Sequence, residues 1–251
     1  MSHPSLISDS LRRLLITSAE AEYRRQCSDP ASLSLGFEDR LELMLTAELD
    51  ARESRRISRR IREADLRINA NPEELEATAA RGLGQAQLAQ LLSLSWLRHQ
   101  GHVLIAGPAG VGKTYLACAL ATAAIRQGAT ARYFRASALI EKIGSARLDG
   151  TYRSFAGKLA RIDVVVLDDL GLSPVSVQGG RELLDIIDDR VGRSSLIIAS
   201  QLPFSLWYDA IEERTVADAV MDRLVHSAHG IELKGDSMRK LLAERKGGAD
   251  G

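Results

Sequence analysis

The sequence predicts an α/β protein: a five-stranded parallel sheet flanked by helices, preceded by a small all-helical region. Three observations carry this. From His102 onward, short apolar runs alternate with stretches of helical periodicity, the pattern of a parallel sheet covered on both faces. The run leading into Asp168 is apolar without interruption, as a central strand of such a sheet requires. Residues 1–75, by contrast, hold few glycines and almost no β-branched runs, and read as helices.

The helical part breaks at "QCSDPASLSLG", rich in turn formers, which separates helices expected over 5–26 and 37–68. In the second, Leu41, Leu45 and Leu49, then Ile57, Ile61 and Ile68, keep helical spacing with a gap at Glu53. "NANPEELEATAARGLG", punctuated by Pro72 and Gly82, is a linker with a short helix, and 84–99 forms a further helix. Strands follow at "HVLIAG", "TARYFRA", "DVVVLDD", "SSLIIAS" and "GIEL". Helices are expected over 113–127 and 137–147, in a stretch before "DVVVLDD", over 177–191, near 204–209 and over 215–228. The domains are then 1–75, helical; 76–240, the α/β domain; and 241–251, a flexible tail.

Composition narrows the function classes. Hydrophobic residues make up 45% and charged residues 26%, ordinary for a soluble globular chain. Formal net charge is zero, so any nucleic-acid surface must be local rather than global. Cys27 and Cys118 are too few and too isolated for a disulfide framework or a zinc site, which suits a reducing cytoplasm. No signal peptide is expected at the N-terminus. No apolar run approaches the roughly 18 residues a membrane span needs.

"GPAGVGKT", Gly107 to Thr114, fits G-x-x-x-x-G-K-[ST] between a predicted strand and a predicted helix, the context that gives the motif meaning. Gly107, Gly110 and Gly112 let the backbone wrap closely and turn its N–H groups toward phosphate oxygens. The helix N-terminus that follows adds partial positive charge. The loop Gly107, Pro108, Ala109, Gly110, Val111, Gly112, Lys113 and Thr114, with Tyr115 behind it, is the expected ATP site. Lys113 can reach the β- and γ-phosphates, and the Thr114 hydroxyl can ligate Mg²⁺.

The strand "DVVVLDD" ends in two carboxylates, 55 residues beyond Lys113. Ligands of parallel sheets bind at the C-terminal ends of the strands. Asp168 comes first after the apolar run and is the expected Mg²⁺-side carboxylate opposite Thr114. Asp169 points differently and is placed to orient or deprotonate an attacking water. Taken alone, such a pair is also an ordinary turn or N-cap ahead of a helix. "SSLIIASQLP" is another buried strand with a polar end, and beside the phosphate-loop strand it puts Ser200 and Gln201 near the γ-phosphate. The structural alternative is a turn before Pro203.

The ordered set "GPAGVGKT", "VVVLDD", "IIASQLP", "ADAVMDRLVH" and "IELKGDSMRK" resembles the AAA+ ATPases of the IstB/DnaC group, and most of all the IstB-like ATP-binding helpers of insertion-sequence transposases. The resemblance extends through "GFEDRLELMLTAELDARESRRISRRIREADLR" and "RGLGQAQLAQLLSLSWLRH", so it covers nearly the whole chain. It implies an AAA+ P-loop NTPase fold, with Ser200 and Gln201 as the sensor-1 region. Arg223 would be an arginine finger offered to ATP on a neighbouring subunit, and Arg239 a sensor-2 arginine. A guanidinium at the γ-phosphate stabilises transition-state charge and ties hydrolysis to assembly. Without the resemblance, Arg223 would read as a surface ion pair with Asp222 or Asp218. Most AAA+ proteins carry Glu where this chain has Asp169, whose side chain is shorter by roughly 1.5 Å, and hydrolysis is expected to be slow.

"ARESRRISRRIREADLR" carries seven arginines and three acids. Arg55, Arg59 and Arg62 share one helical face, with Arg52, Arg56 and Arg60 beside it. The bland reading is a solvated face. The sharper one is backbone contact to duplex DNA, without base stacking because no aromatic interleaves the arginines. The resemblance adds Lys142 and Arg147 as DNA candidates, because related loaders line a central pore from that region. It implies an ATP-dependent homo-oligomer on duplex DNA that regulates or recruits a cognate transposase. A replicative-helicase loader, a small-molecule phosphotransferase and a non-hydrolysing ATP switch are the alternatives, and the last turns on Asp169.

Overall fold

The computed structural model describes residues 4–225 and 228–238. The chain divides into two compact units, Met1–Arg59 and Arg60–Gly251. The expected tail at 241–251 lies outside the described residues. Among those described, no helix is long and apolar enough to cross a membrane.

The first unit is built of helices α1 (Pro4–Arg13), α2 (Thr17–Ser28), α3 (Pro30–Leu33) and most of α4 (Phe37–Ala64). The single helix expected over 5–26 is two. Leu15 adopts φ +59, and the Leu15 and Ile16 amides bond back to the Arg12 and Leu11 carbonyls, a left-handed C-terminal closure made with leucine instead of glycine. α2 lies along α4 through polar contacts. The Ser18 amide donates to Glu48 at 2.9 Å, and buried Gln26 exchanges hydrogen bonds with the Arg40 side chain and carbonyl. Leu41, Leu45 and Leu49 share a face with Phe37, and all four are exposed.

The helix expected over 37–68 stops at Ala64, where Asp65 turns left-handed at φ +53, a conformation Asp tolerates better than most residues. Residues 66–70 then belong to the second unit. Leu66 and Ile68 pack with Ala70 against Cys118 and Ala119 of α7 (Lys113–Arg126). The compact units therefore separate at Arg59/Arg60, earlier than residue 75. The linker helix is two short 3₁₀ turns, Pro72–Glu74 and Ala79–Arg81. The helix expected over 84–99 is α5 (Gln85–Leu92) and α6 (Ser95–Arg98), broken at Leu94, φ +55, with buried Trp96 bonded to the Leu91 carbonyl.

The sheet holds β1 (His102–Ala106), β2 (Ala131–Arg135), β3 (Val164–Leu170), β4 (Ser195–Ser200) and β5 (Ala228–Glu232). All pairings are parallel, in the order β2-β3-β4-β1-β5. Every residue of β1 and β4 is buried, which is why both are apolar apart from polar end residues, at 103–106 and 196–199. α7, α8 (Ala136–Leu148), α9 (Tyr152–Ala160), α10 (Val177–Arg190) and α11 (Arg214–Val225) complete the unit. The helix expected near 204–209 is one 3₁₀ turn, Phe204–Leu206; the helix expected over 215–228 is described over Arg214–Val225, residues 226–227 lie outside the described residues, and Ala228 already belongs to β5. The order brings the ends of β3, β4 and β1 side by side, with β4 between the acids and the phosphate loop.

Candidate nucleotide-binding site

The loop 107–112 joins β1 to α7. Two of its glycines are structurally required. A Cβ on Gly107, φ +149, would collide with the Leu233 carbonyl, and one on Gly110, φ +81, with the Ser237 side chain. Residues 233–238 fold over the loop: the Leu233 amide donates to Ala106 O at 2.8 Å and the Met238 amide to Gly110 O at 3.0 Å. Arg81 closes another side by donating to Val111 O at 2.8 Å. The result is a concave backbone cradle at the head of an α-helix, a ready anion site. Arg239 immediately follows this segment but lies outside the described residues.

Lys113 is almost fully buried, and its Nζ donates to Gly107 O at 2.7 Å and Pro108 O at 2.8 Å. Burial lowers its pKa below the usual lysine range, while the Asp168 and Asp169 carboxylates oppose that shift. Thr114 Oγ1 donates to Asp168 Oδ2 at 2.8 Å, so the two expected metal-side groups do face each other across the end of the sheet. Both offer hard oxygen donors, the chemistry Mg²⁺ requires. Tyr115 points away from the loop and donates to Glu74 at 2.6 Å.

Asp168 is 1% exposed and saturated with donors. Its Oδ1 accepts the Asp169 amide at 3.0 Å, and its Oδ2 accepts both Thr114 and the Tyr133 hydroxyl, the latter at 2.8 Å. Burial and this bond to a carboxylate push the Tyr133 phenol above its ordinary pKa. The strand register shifts between Leu167 and Leu170, and Asp169 sits there at φ +60. Such an irregularity re-aims a side chain, and Asp169 thereby departs from simple strand alternation. Its Oδ2 meets Arg67 Nη1 at 3.2 Å, and the same nitrogen lies 3.5 Å from Asp168 Oδ2.

Tyr133 and Arg67 were not singled out from the sequence. Tyr133 reaches the site because β2 pairs with β3 in a register that sets Tyr133 against Val166 and Arg135 against Asp168. A strand order would have exposed it. Arg67 carried no local signal beyond being the last arginine of a basic run.

Ser200 pairs in register with Ala106 and Leu170, at the centre of the site's floor. Its buried hydroxyl donates to Leu170 O at 2.6 Å and accepts from the Leu202 amide at 3.1 Å. With its proton committed to the backbone, Ser200 fixes the turn that presents half-buried Gln201. Arg223 pairs with Asp188 of α10 and donates to Ala219 O at 3.0 Å, in place of the Asp222 or Asp218 partner its neighbours suggested.

The basic helix is partly neutralised. Arg52 and Arg55 bond Glu48 at 2.8 and 3.2 Å, and Arg56 bonds Glu53 at 2.5 Å, the three arginines being at least half exposed in the first unit. Arg59 and Arg62 are exposed, whereas Arg60 donates to Gly128 O in the second unit. Lys142 lies over the Phe155 ring at 5.4 Å, and Arg147 stacks on Tyr152 at 4.0 Å while bonding Asp185 at 2.6 Å.

A phosphate loop at β1, paired acids at β3 and a polar strand end at β4, in the order β2-β3-β4-β1-β5, define an AAA+ P-loop domain of the ATPase type. The crystal structure of the DnaC helicase loader superposes with a TM-score of 0.54 at 22% identity, covering 66% of this chain and 97% of that one. The chain belongs to the IstB-like ATP-binding protein family, whose model matches residues 10–246. It is 38% identical over 240 residues to y4pL of Sinorhizobium fredii, named as an insertion-sequence ATP-binding protein, covering 96% of this chain and 97% of the relative. It is 39% identical over 196 residues to a Pseudomonas fluorescens protein named for ATP binding in insertion sequence IS1162, covering 78% and 85%.

Proposed function

We propose that this protein is a slow, Mg²⁺-dependent ATPase that assembles as a homo-oligomer on duplex DNA in the cytoplasm and recruits or regulates the transposase of an insertion sequence. The observation that carries the reading is the pairing of Thr114 with Asp168 at 2.8 Å, beside Lys113 and under a glycine cradle.

The roles follow from position. Backbone amides of 107–112 and the head of α7 take the phosphates. Lys113 gives up two carbonyls of its own loop to reach them. Thr114 and Asp168 would hold Mg²⁺, which when bound supplies positive charge against the phosphate oxygens. Asp169 orients water from a shortened side chain, and a misplacement of about 1 Å can cost around a hundredfold in rate, hence the slow turnover. Gln201 stands next along the strand end as a water or γ-phosphate contact. Arg223 acts across a subunit boundary after leaving Asp188, which makes hydrolysis follow assembly. Arg239 serves the same nucleotide from its own chain. Arg52, Arg55, Arg56, Arg59, Arg60 and Arg62, with Lys142 and Arg147, contact the DNA backbone.

ATP turnover with and without duplex DNA, combined with electron microscopy, tests this. Slow hydrolysis raised by DNA is expected, with oligomers that need both ligands. Monomers under every condition would sink the assembly reading. Pull-down of a replicative helicase in place of the transposase would favour a loader.

A further inference from the structure

The Asp168 and Asp169 carboxylates already have a cation. Arg67 Nη1 stands between them, 3.5 Å from Asp168 Oδ2 and 3.2 Å from Asp169 Oδ2. Its position is built rather than incidental. Leu66 and Ile68 on either side pack with buried Ala70 onto Cys118 and Ala119 of α7. The Arg67 guanidinium, 35% exposed, is thereby held over a carboxylate that is 1% exposed. A buried carboxylate without a counter-charge is expensive, and Lys113 has turned its ammonium to backbone carbonyls. Arg67 supplies the direct ion pair that Lys113 does not make.

The oxygen involved is decisive. Asp168 Oδ2 accepts Thr114 Oγ1 and also faces Arg67. A divalent ion drawn to Thr114 and Asp168 would meet the Arg67 charge already at that carboxylate, and two cations beside one carboxylate repel. We propose that Arg67 is a tethered internal cation that competes with the divalent metal for Asp168 and Asp169, so that metal loading requires Arg67 to withdraw. Arg67 is a positioning residue here. It holds Asp169 in its re-aimed conformation while the site is without metal, and its release frees Asp169 for water. The proposal rests on the ATPase reading for its purpose, but its test does not.

The test titrates Mn²⁺ into the nucleotide-free full-length protein, with free Mn²⁺ read by electron paramagnetic resonance, for wild type, R67A, R67Q and R67K. R67A and R67Q should bind Mn²⁺ about fivefold tighter than wild type, the equilibrium equivalent of a partly exposed ion pair of about 1 kcal/mol. R67K should return toward wild type, and adding D168N to R67Q should abolish the gain. Should R67A fail to fold, R67Q, which keeps most of the side chain, carries the measurement. Equal or weaker Mn²⁺ binding by folded R67Q overturns the proposal. Loss of Mg·ATP binding by the wild type would instead refute the ATPase reading and leave this titration valid.

Discussion

Acidification should destabilise the second unit, and His102 should contribute a distinct part of that loss. It is the first residue of β1 and fully buried. Its Nδ1 accepts the Leu196 amide at 3.2 Å, and its Nε2 has no partner among the described residues. Burial first, then the Arg190 guanidinium, depress its pKa from 6.5 to about 4. Arg190 is itself buried, with its pKa lowered to about 10 by burial, and it is held by the carbonyls of Leu159, Ile162, Asp163 and Ser195. It stays charged throughout the relevant range and keeps His102 neutral. Between pH 6.5 and 4 the unfolded chain therefore binds a proton that the folded one refuses, so stability falls as pH falls. The two pKa values give a loss of about 2 kcal/mol at pH 5 and about 3 kcal/mol at pH 4. For a unit of this size, 2 kcal/mol is about 4–8 °C in Tm. His102→Asn keeps an acceptor for the Leu196 amide and cannot titrate. Melting curves of both proteins at pH 7 and pH 5 check this. The wild type should lose more stability than H102N on acidification, by about the stated amount. If both shift equally, His102 is not the sensitive group and the burial argument is wrong.

Three further outcomes follow from the site. Asp169→Asn should leave ATP binding intact, cut hydrolysis by around a hundredfold and trap the DNA-bound assembly, and parental turnover by that variant would transfer the water-directing role to Gln201. Ser200→Ala strips a donor from Leu170 O and an acceptor from the Leu202 amide, so chemical denaturation should show a loss of about 1–3 kcal/mol, a cost that a purely catalytic serine would not show. Arg223→Ala should bind ATP like the parent yet lose the hydrolysis that DNA-driven assembly adds, and a mixture with a hydrolysis-dead D169N partner should recover part of it, since D169N supplies the finger and R223A the intact pocket.

Much of this molecule is legible in its residues because the relevant interactions are local. A phosphate loop is one strand end, one tight turn and one helix head, and its glycines announce the backbone it needs. The central strands are buried on both faces and so are apolar apart from polar end residues. Helix breaks were harder to see. Leu15 and Leu94 take left-handed conformations that their side chains do not advertise, and the second is buried, so tertiary contacts override local preference there.

The sequence by itself determined the family, the sheet, the phosphate cradle and the identity of the first acid. Tertiary structure decided how that acid is satisfied. It set Ser200 to hold the backbone, tied Arg223 to Asp188, and brought Arg67 to carboxylates about a hundred positions away, 102 residues in the case of Asp169. No periodicity or spacing encodes a contact of that kind. It exists because Leu66, Ile68 and Ala70 pack on α7, and the charge between them is carried to the end of β3, where Asp168 and Asp169 stand.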